Sequence, residues 1–274
     1  MSRTMAKILG GFVDIATMPM NARQKGKTVS RLAQNLQNSE LKEVQTKYGP
    51  LKFFSLRGSG VVSAVERFHE DEPETLEWID EYIKPNDTLW DIGANIGLYS
   101  IYAAKKEGVK VIAFEPSGLN FSLLVEHIAL NDLGDSISPL CLALSNETKL
   151  ENLNMVIFEP GAASNAVGGA GNQFGEFKPA FTQATPAMKA DDFCSVFGQK
   201  TPDHVKLDVD GIEEFIIAGM QSLLPKIKTI VVEVEGDNAG DQENKIVGPI
   251  IKAGFEEDMS HRQKGSGRNR LYIK

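Results

Sequence analysis

From Thr88 onward, short apolar runs alternate with longer amphipathic stretches. Thr88–Ile92, Val109–Phe114, Ile137–Leu144, His204–Val209 and Thr229–Val234 read as strands. The last is the continuous apolar run that a strand covered on both faces requires. Gly97–Glu107, Leu119–Leu130 and a stretch from Ile212 read as helices between them. Strands alternating with helices predict right-handed crossovers, so the expected class is α/β with a doubly wound, mostly parallel sheet. Phe255–Met259 and Arg270–Ile273 flank Gly265-Ser266-Gly267 and predict a closing hairpin.

Upstream the rhythm differs. Leu41–Tyr48 and Leu51–Leu56, parted by Gly49-Pro50, read as two strands joined by a turn, and Arg57–Gly60 as a loop. Pro73 opens a helix with Leu76, Ile79 and Ile83 on one face, because proline is tolerated at the first helical position. Ile8–Met20 is mildly apolar but broken by Gly10, Gly11, Asp14 and Pro19. It reads as a frayed or docking helix, with no small-residue cleavage signal after it. The expected division is an accessory region over 1–67 and a main domain over 68–274. Within the latter, Asn154–Ala190 is rich in Gly, Ala, Asn and Pro and predicts a long loop, either a binding lid or a surface insertion.

Composition narrows the function classes. With 42% hydrophobic and 24% charged residues in 274, the chain is an ordinary globular one. Its net charge of -8 argues against general nucleic-acid binding. No apolar run reaches the roughly 18 residues of a membrane span. Cys141 and Cys194 supply neither a disulfide framework nor a zinc site; buried, reduced thiols and a cytoplasmic location are expected.

The strongest local pattern is Asp91-Ile92-Gly93-Ala94-Asn95-Ile96-Gly97, where a strand turns into a helix. Glu115 ends the next strand about 20 residues on, the spacing of a β-α-β nucleoside site whose acid takes the ribose hydroxyls. Dinucleotide sites favour G-x-G-x-x-G, so that a pyrophosphate meets bare backbone. Here the glycines are spaced G-x-x-x-G, and Asp91 would repel a pyrophosphate while accepting an ammonium group. S-adenosylmethionine, phosphate-free and cationic, is favoured over NAD.

Together with Phe114-Glu115-Pro116, Lys206-Leu207-Asp208-Val209-Asp210-Gly211-Ile212-Glu213, Glu72-Pro73-Glu74-Thr75 and Ala190-Asp191-Asp192-Phe193, this turn resembles the FkbM-type S-adenosylmethionine-dependent methyltransferases. The resemblance covers roughly Phe68 to Val234. It implies a class I methyltransferase fold and O-methylation of a hydroxyl on a sugar, polyketide or similar metabolite. Asp210 departs from it, standing where the family commonly has Glu. By the same resemblance Asp91, Gly93, Ala94, Asn95 and Gly97 would surround the methionine part of the cofactor. Glu115 would hold the ribose, Pro116 and Ser117 would edge the adenosine pocket, and Ala143 and Leu144 would lie near the adenine. Asp91 and Asp208 should face one crevice at the topological switch point.

A sugar hydroxyl gains from a base. Asp208 is the first candidate, with Asp210 and Glu213 behind it and Lys206 modulating their charge. The plain alternative is that Asp208 caps the following helix and Glu213 complements its dipole. Asp208, Asp210 and Glu233 or Glu235 could also gather around Mg²⁺, but such clusters more often serve caps and solvated faces, and no metal is assigned. His69 and His261 are expected in loops, His127 in a helix and His204 at the start of a strand. None enters the catalytic set. Arg262, Lys264, Arg268 and Arg270 form either a solvated hairpin tip or a contact for an anionic acceptor. The function expected is an S-adenosylmethionine-dependent O-methyltransferase acting on a small-molecule or carbohydrate hydroxyl. The alternatives are an NAD-dependent oxidoreductase and a non-catalytic binding module.

Overall fold

The computed structural model describes every residue except 1, 39, 40, 170, 173, 174, 235–238 and 266, so Ala170, Glu235 and Ser266 lie outside the described residues. Two helices, α1 (Ser2–Thr17) and α2 (Ala22–Asn38), precede an antiparallel hairpin of β1 (Leu41–Val44) and β2 (Leu51–Phe54). Then come α3 (Ser59–Glu66), α4 (Pro73–Tyr82), β3 (Thr88–Ile92), α5 (Leu98–Ala104), β4 (Lys110–Phe114), α6 (Gly118–Leu130) and β5 (Ile137–Leu140). An insertion follows, made of β6 (Ala143–Ser145), β7 (Lys149–Met155), β8 (Ala166–Val167), β9 (Gly171–Asn172), β10 (Gly175–Glu176) and β11 (Phe181–Lys189). The chain closes with α7 (Ala190–Phe197), β12 (His204–Leu207), α8 (Glu213–Gly219), β13 (Thr229–Glu233), α9 (Ala239–Lys252), β14 (Glu256–Glu257), α10 (Met259–Arg262) and β15 (Asn269–Ile273).

The main sheet has seven strands in the order β14-β15-β13-β12-β3-β4-β5. β5, β4, β3, β12 and β13 run parallel, and β15 enters antiparallel beside β13. This differs from the all-parallel six-strand order of a dinucleotide fold and bears out the α/β, mostly parallel expectation. Side chains alternate across the sheet. Leu89, Val111 and Val231 pack with Trp78, Ile101 and Leu124 on one face. Trp90, Ile112, Phe114 and Val232 pack with Phe193, Ile216 and Ile250 on the other. Trp90, Phe114 and Phe193 meet edge to face with centroids 5.2 to 5.5 Å apart, each pair adding about 1 kcal/mol beyond its area burial.

Five expectations need correction. The strand expected over Ile137–Leu144 breaks at Cys141–Leu142, and its second half joins another sheet. That sheet, ordered β6-β11-β7-β8, occupies much of the expected long loop. The closing hairpin is real in its pairing, but α10 interrupts its connection and carries His261, which is buried. Arg57–Gly60 is no plain loop, since α3 begins at Ser59. Both cysteines are free but half-buried instead of buried.

The division expected at residue 67 follows no seam in the packing. Leu51, Phe53, Val61 and Val65 belong to the same apolar cluster as Trp78 and Leu89. His127 pins the hairpin to this body: its Nε2 accepts from the Phe54 amide at 3.1 Å, so Nδ1 donates to the Ile96 carbonyl at 2.9 Å. Burial lowers its pKa from 6.5 to about 4. A depressed histidine contributes stability that is complete above its unfolded pKa and is lost as pH falls toward its folded one. Here that amounts to about 3 kcal/mol at the acid end. His127 therefore adds to the urea unfolding midpoint a component that falls between pH 7 and pH 4.5 (roughly the titration window), opposed by the buried carboxyls Glu115 and Glu213, which burial raises to about 7, and His127→Gln should shift the slope by removing that component. His204, lowered by burial in the same direction, leaves part of the slope in the variant; an unchanged slope would remove His127 as its source.

Candidate active site

A hollow of about 390 Å³ opens at the carboxyl ends of β3, β4, β12 and β13, between the main sheet and the inserted sheet. Its floor is the turn after β3. The amides of Gly93 and Ala94 both donate to the Phe114 carbonyl at 3.0 Å, and the Asp208 amide donates to the Ile92 carbonyl at 3.1 Å. Gly93 has φ +87°, and a Cβ there would come within 1.8 Å of the Asp208 carbonyl oxygen. Only glycine lets the two strand ends touch. Gly97, φ +90°, serves packing: its missing Cβ makes room for Leu124 Cδ1, 2.5 Å from where it would stand, and the residue does not line the hollow.

Glu115 lines the hollow with both oxygens already engaged from behind. Oε2 accepts from the Asn95 amide and Oε1 from the Ser117 amide, each at 2.8 Å. A carboxylate has about four lone-pair sites; with the Asn120 side chain also bonded to it, room remains for a further hydroxyl donor. Burial raises its pKa to about 7 against the pull of these bonds. Ser117 does not reach the hollow; it caps α6 and steers Glu115. Pro116, Ala143 and Leu144 form one wall.

Asp91 does not face the hollow with Asp208 as expected. It sits one layer behind, fully buried, with Oδ2 accepting from Ser100 Oγ at 2.5 Å. Its Oδ1, like Asn95 Oδ1, is buried with no hydrogen-bond partner among the described residues. Asn95 lines the hollow, so it is the orphaned acceptor that a polar ligand group can meet.

Across the floor lies a charged cluster. Buried Lys206, beside Asp91 in the strand register, donates to Asp208 Oδ2 at 2.6 Å and stands 3.8 Å from Glu72 Oε2 and 4.9 Å above the Tyr99 ring. Burial disfavours its charge, but the carboxylates around it win and hold its pKa well above the usual value. It is a fixed cation, not a base. Burial pushes the Asp208 carboxyl up, yet Lys206 outweighs this and the net direction is down. Glu233, hydrogen-bonded to Asp208, moves the other way. Burial and the Asp208 charge raise it to about 8, although Arg268 stands 3.2 Å from its Oε1. Asp208 and Glu233 thus hold one proton between them at neutral pH.

The remaining acids are structural in their contacts. Glu213 accepts from the Gly211 amide at 3.1 Å and the Val209 amide at 3.3 Å, at the start of its own helix. Asp208 caps nothing, since the residue before α8 is Ile212. Asp210, at φ +62°, lines the hollow, and its Oδ2 accepts from the Ser164 amide at 2.7 Å. That bond ties down a strap over Gly161–Asn165 that roofs the hollow. Asn120 holds its other end, accepting from the Gly161 amide at 2.8 Å and donating to the Ala162 carbonyl at 3.1 Å. No three metal-ligating side chains converge among the described residues. The basic cluster is paired, not a free tip: Arg262 with Glu257, Lys264 with Glu77 and Arg268 with Glu233. Sequence reasoning set Glu233 beside Asp208 only as a metal ligand, quoted Glu72 only within the family pattern, and placed the strap in a long loop read as a lid or a surface insertion. Their one advance signal was position, at a helix start, at a strand end and in a Gly-Ala stretch.

Comparison with known proteins adds an independent line. A sequence-family model, the Methyltransferase FkbM domain, matches residues 91–260. A hexuronic acid methyltransferase, AglP, of Haloferax volcanii is 25% identical over 69% of this chain and 75% of its own. The 31-O-demethyl-FK506 methyltransferase FkbM of Streptomyces tacrolimicus is 25% identical over 56% of this chain and 66% of its own. Among solved structures, a methyltransferase FkbM from Methylobacillus flagellatus KT superposes with a TM-score of 0.46 at 13% identity, covering 81% of this chain and 64% of that one.

Proposed function

Because this chain belongs to the FkbM methyltransferase family and is a methyltransferase, we propose that it uses S-adenosylmethionine to methylate a hydroxyl of a sugar or similar small metabolite. The observation that carries the reading is a single hollow with a hydroxyl-accepting Glu115 at one end and the proton-sharing Asp208–Glu233 pair on its floor. Relatives named for a hexuronic acid and for 31-O-demethyl-FK506 support an oxygenated acceptor. Membership of a methyltransferase family sets the dehydrogenase alternative aside.

S-adenosylmethionine, when bound, supplies an electrophilic methyl group on a cationic sulfur. Glu115 would accept from the ribose diol, and Asn95 Oδ1 would accept from the amino-acid portion. Ala143, Leu144 and Pro116 would flank the base. The strap held by Asp210 and Asn120 excludes water, which favours alignment over side reactions. Asp208, kept ionised by Lys206, accepts the proton of the acceptor hydroxyl, and Glu233 adjusts its basicity by holding or releasing the shared proton.

The pH dependence follows from that pair. A base works only when it can take a proton, so kcat should rise as the shared proton leaves and level off above pH about 8. Glu233→Gln keeps a donor toward Asp208 but cannot ionise, so that limb should vanish. A profile unchanged by the substitution would assign it to another group. The reading as a whole is tested by calorimetry with S-adenosylmethionine and NADH, followed by methyl release over a panel of sugars, alcohols and amines. Adenosyl-ligand uptake with the methyl on oxygen is expected. Transfer to nitrogen or carbon with no reaction at any hydroxyl would overturn it.

A further inference from the structure

Helices α1 and α2 stand apart from the rest of the chain in their surface chemistry. On α1, Met5, Ile8, Leu9, Phe12 and Ile15 recur at helical spacing along one stripe, and each is 50 to 68% exposed. An apolar stripe this continuous on a water-facing surface marks an unpartnered contact face. Asp14, on the opposite side of α1, pairs with Lys25 of α2 at 2.9 Å. Arg23, Lys27 and Arg31 recur every four residues on the side of α2 away from Lys25 and are exposed. The apolar stripe and the cationic row therefore both lie on faces turned from the contact that joins the two helices.

Charge decides what covers them. Residues 1–38 carry Arg3, Lys7, Arg23, Lys25, Lys27 and Arg31 against Asp14 alone, in a chain whose net charge is -8. A second copy of the arm would set like charges together, whereas a surface that is apolar beneath and anionic above satisfies both features. Among the described residues no helix is long and apolar enough to cross a membrane. We propose that this arm docks the protein on an anionic lipid bilayer, with the α1 stripe in the headgroup–acyl boundary and the net positive charge of the two helices, including the Arg23–Lys27–Arg31 row, attracting them to the anionic surface. Residues Ser55–Arg57, which α2 touches, connect it to the body, so docking leaves the catalytic hollow intact.

The test is flotation of the full chain with vesicles of phosphatidylcholine alone and of phosphatidylcholine mixed with phosphatidylglycerol. Binding to the mixed vesicles should exceed that to neutral ones by at least about tenfold and should weaken with added salt. Phe12→Glu and, separately, the combined R23E, K27E and R31E should each reduce it at least about tenfold. All four positions are exposed, so melting temperatures should hold. No flotation, or equal flotation on both vesicle types, overturns the proposal. So does a concentration-dependent dimer that Phe12→Glu abolishes, which would mark the stripe as a face between copies of this chain.

Discussion

Asp208→Asn is expected to lower kcat by about 10²- to 10⁴-fold, the span of a positioned general base, while leaving the Kd for an adenosyl ligand nearly unchanged. Asparagine keeps the shape and an oxygen for Lys206 Nζ, which bonds Asp208 at 2.6 Å, but it cannot accept a proton from a hydroxyl. A 10³-fold loss corresponds to about 4 kcal/mol of barrier. The variant also removes one of the charges that balance buried Lys206; Glu72 and Asp91 remain around it. Breaking a buried pair costs about 3–5 kcal/mol of stability, so turnover has to be expressed per folded molecule, with urea titration giving the folded fraction. If the loss in turnover only tracks that fraction, or if turnover per folded molecule is unchanged, Asp208 is not the base. Asp208→Ala is the poorer test, because it leaves Lys206 without its shortest contact and confounds chemistry with folding.

What the sequence makes legible is set by where burial is decided. β3 and β13 are covered on both faces, so their apolar runs announce them. β11 is different: Thr182-Gln183-Ala184-Thr185-Pro186 has no apolar alternation, and an internal proline argues against a strand. Its pairing with β7 is long, yet its buried side chains gather toward the end, at Thr185, Ala187 and Met188. Tertiary contact makes that strand, and no local pattern encodes it. The site shows the same division. The Asp91–Gly97 turn and Glu115 are visible because backbone demands fix residue type at fixed spacing. The depth of Asp91 is not visible, since spacing gives its strand and face but not which layer covers it. Glu233 reads as the end of an apolar strand until β13 is set beside β12 in register, Val232 opposite Leu207. Burial, and then the charge of its neighbour Asp208, turn an ordinary carboxyl into one that holds a proton to about pH 8.

Glu115→Gln should weaken adenosyl-ligand binding by about 10- to 100-fold, the worth of one or two hydrogen bonds to a charged acceptor. The residue is caught between two amides, Asn95 and Ser117. Glutamine offers one oxygen and one NH₂ where glutamate offers two oxygens, so its NH₂ must confront one of those N–H donors. A buried donor left without an acceptor costs about 1–3 kcal/mol, and the turn carrying Asn95 and its buried Oδ1 would shift with it. A second signature separates this local strain from loss of the ligand contact. Burial sets the Glu115 pKa at about 7 in the empty protein, whereas hydroxyl donors from a ribose favour the ionised form. Ligand binding must therefore release a proton from Glu115 below that pH. The Kd should rise about tenfold for each pH unit on the acid side, and calorimetry in buffers of different ionisation enthalpy should count the released proton. The glutamine variant cannot release one. Its affinity should be lower and flat with pH. If the slope survived the substitution, the proton would belong to another group and Glu115 would lose its role at the sugar.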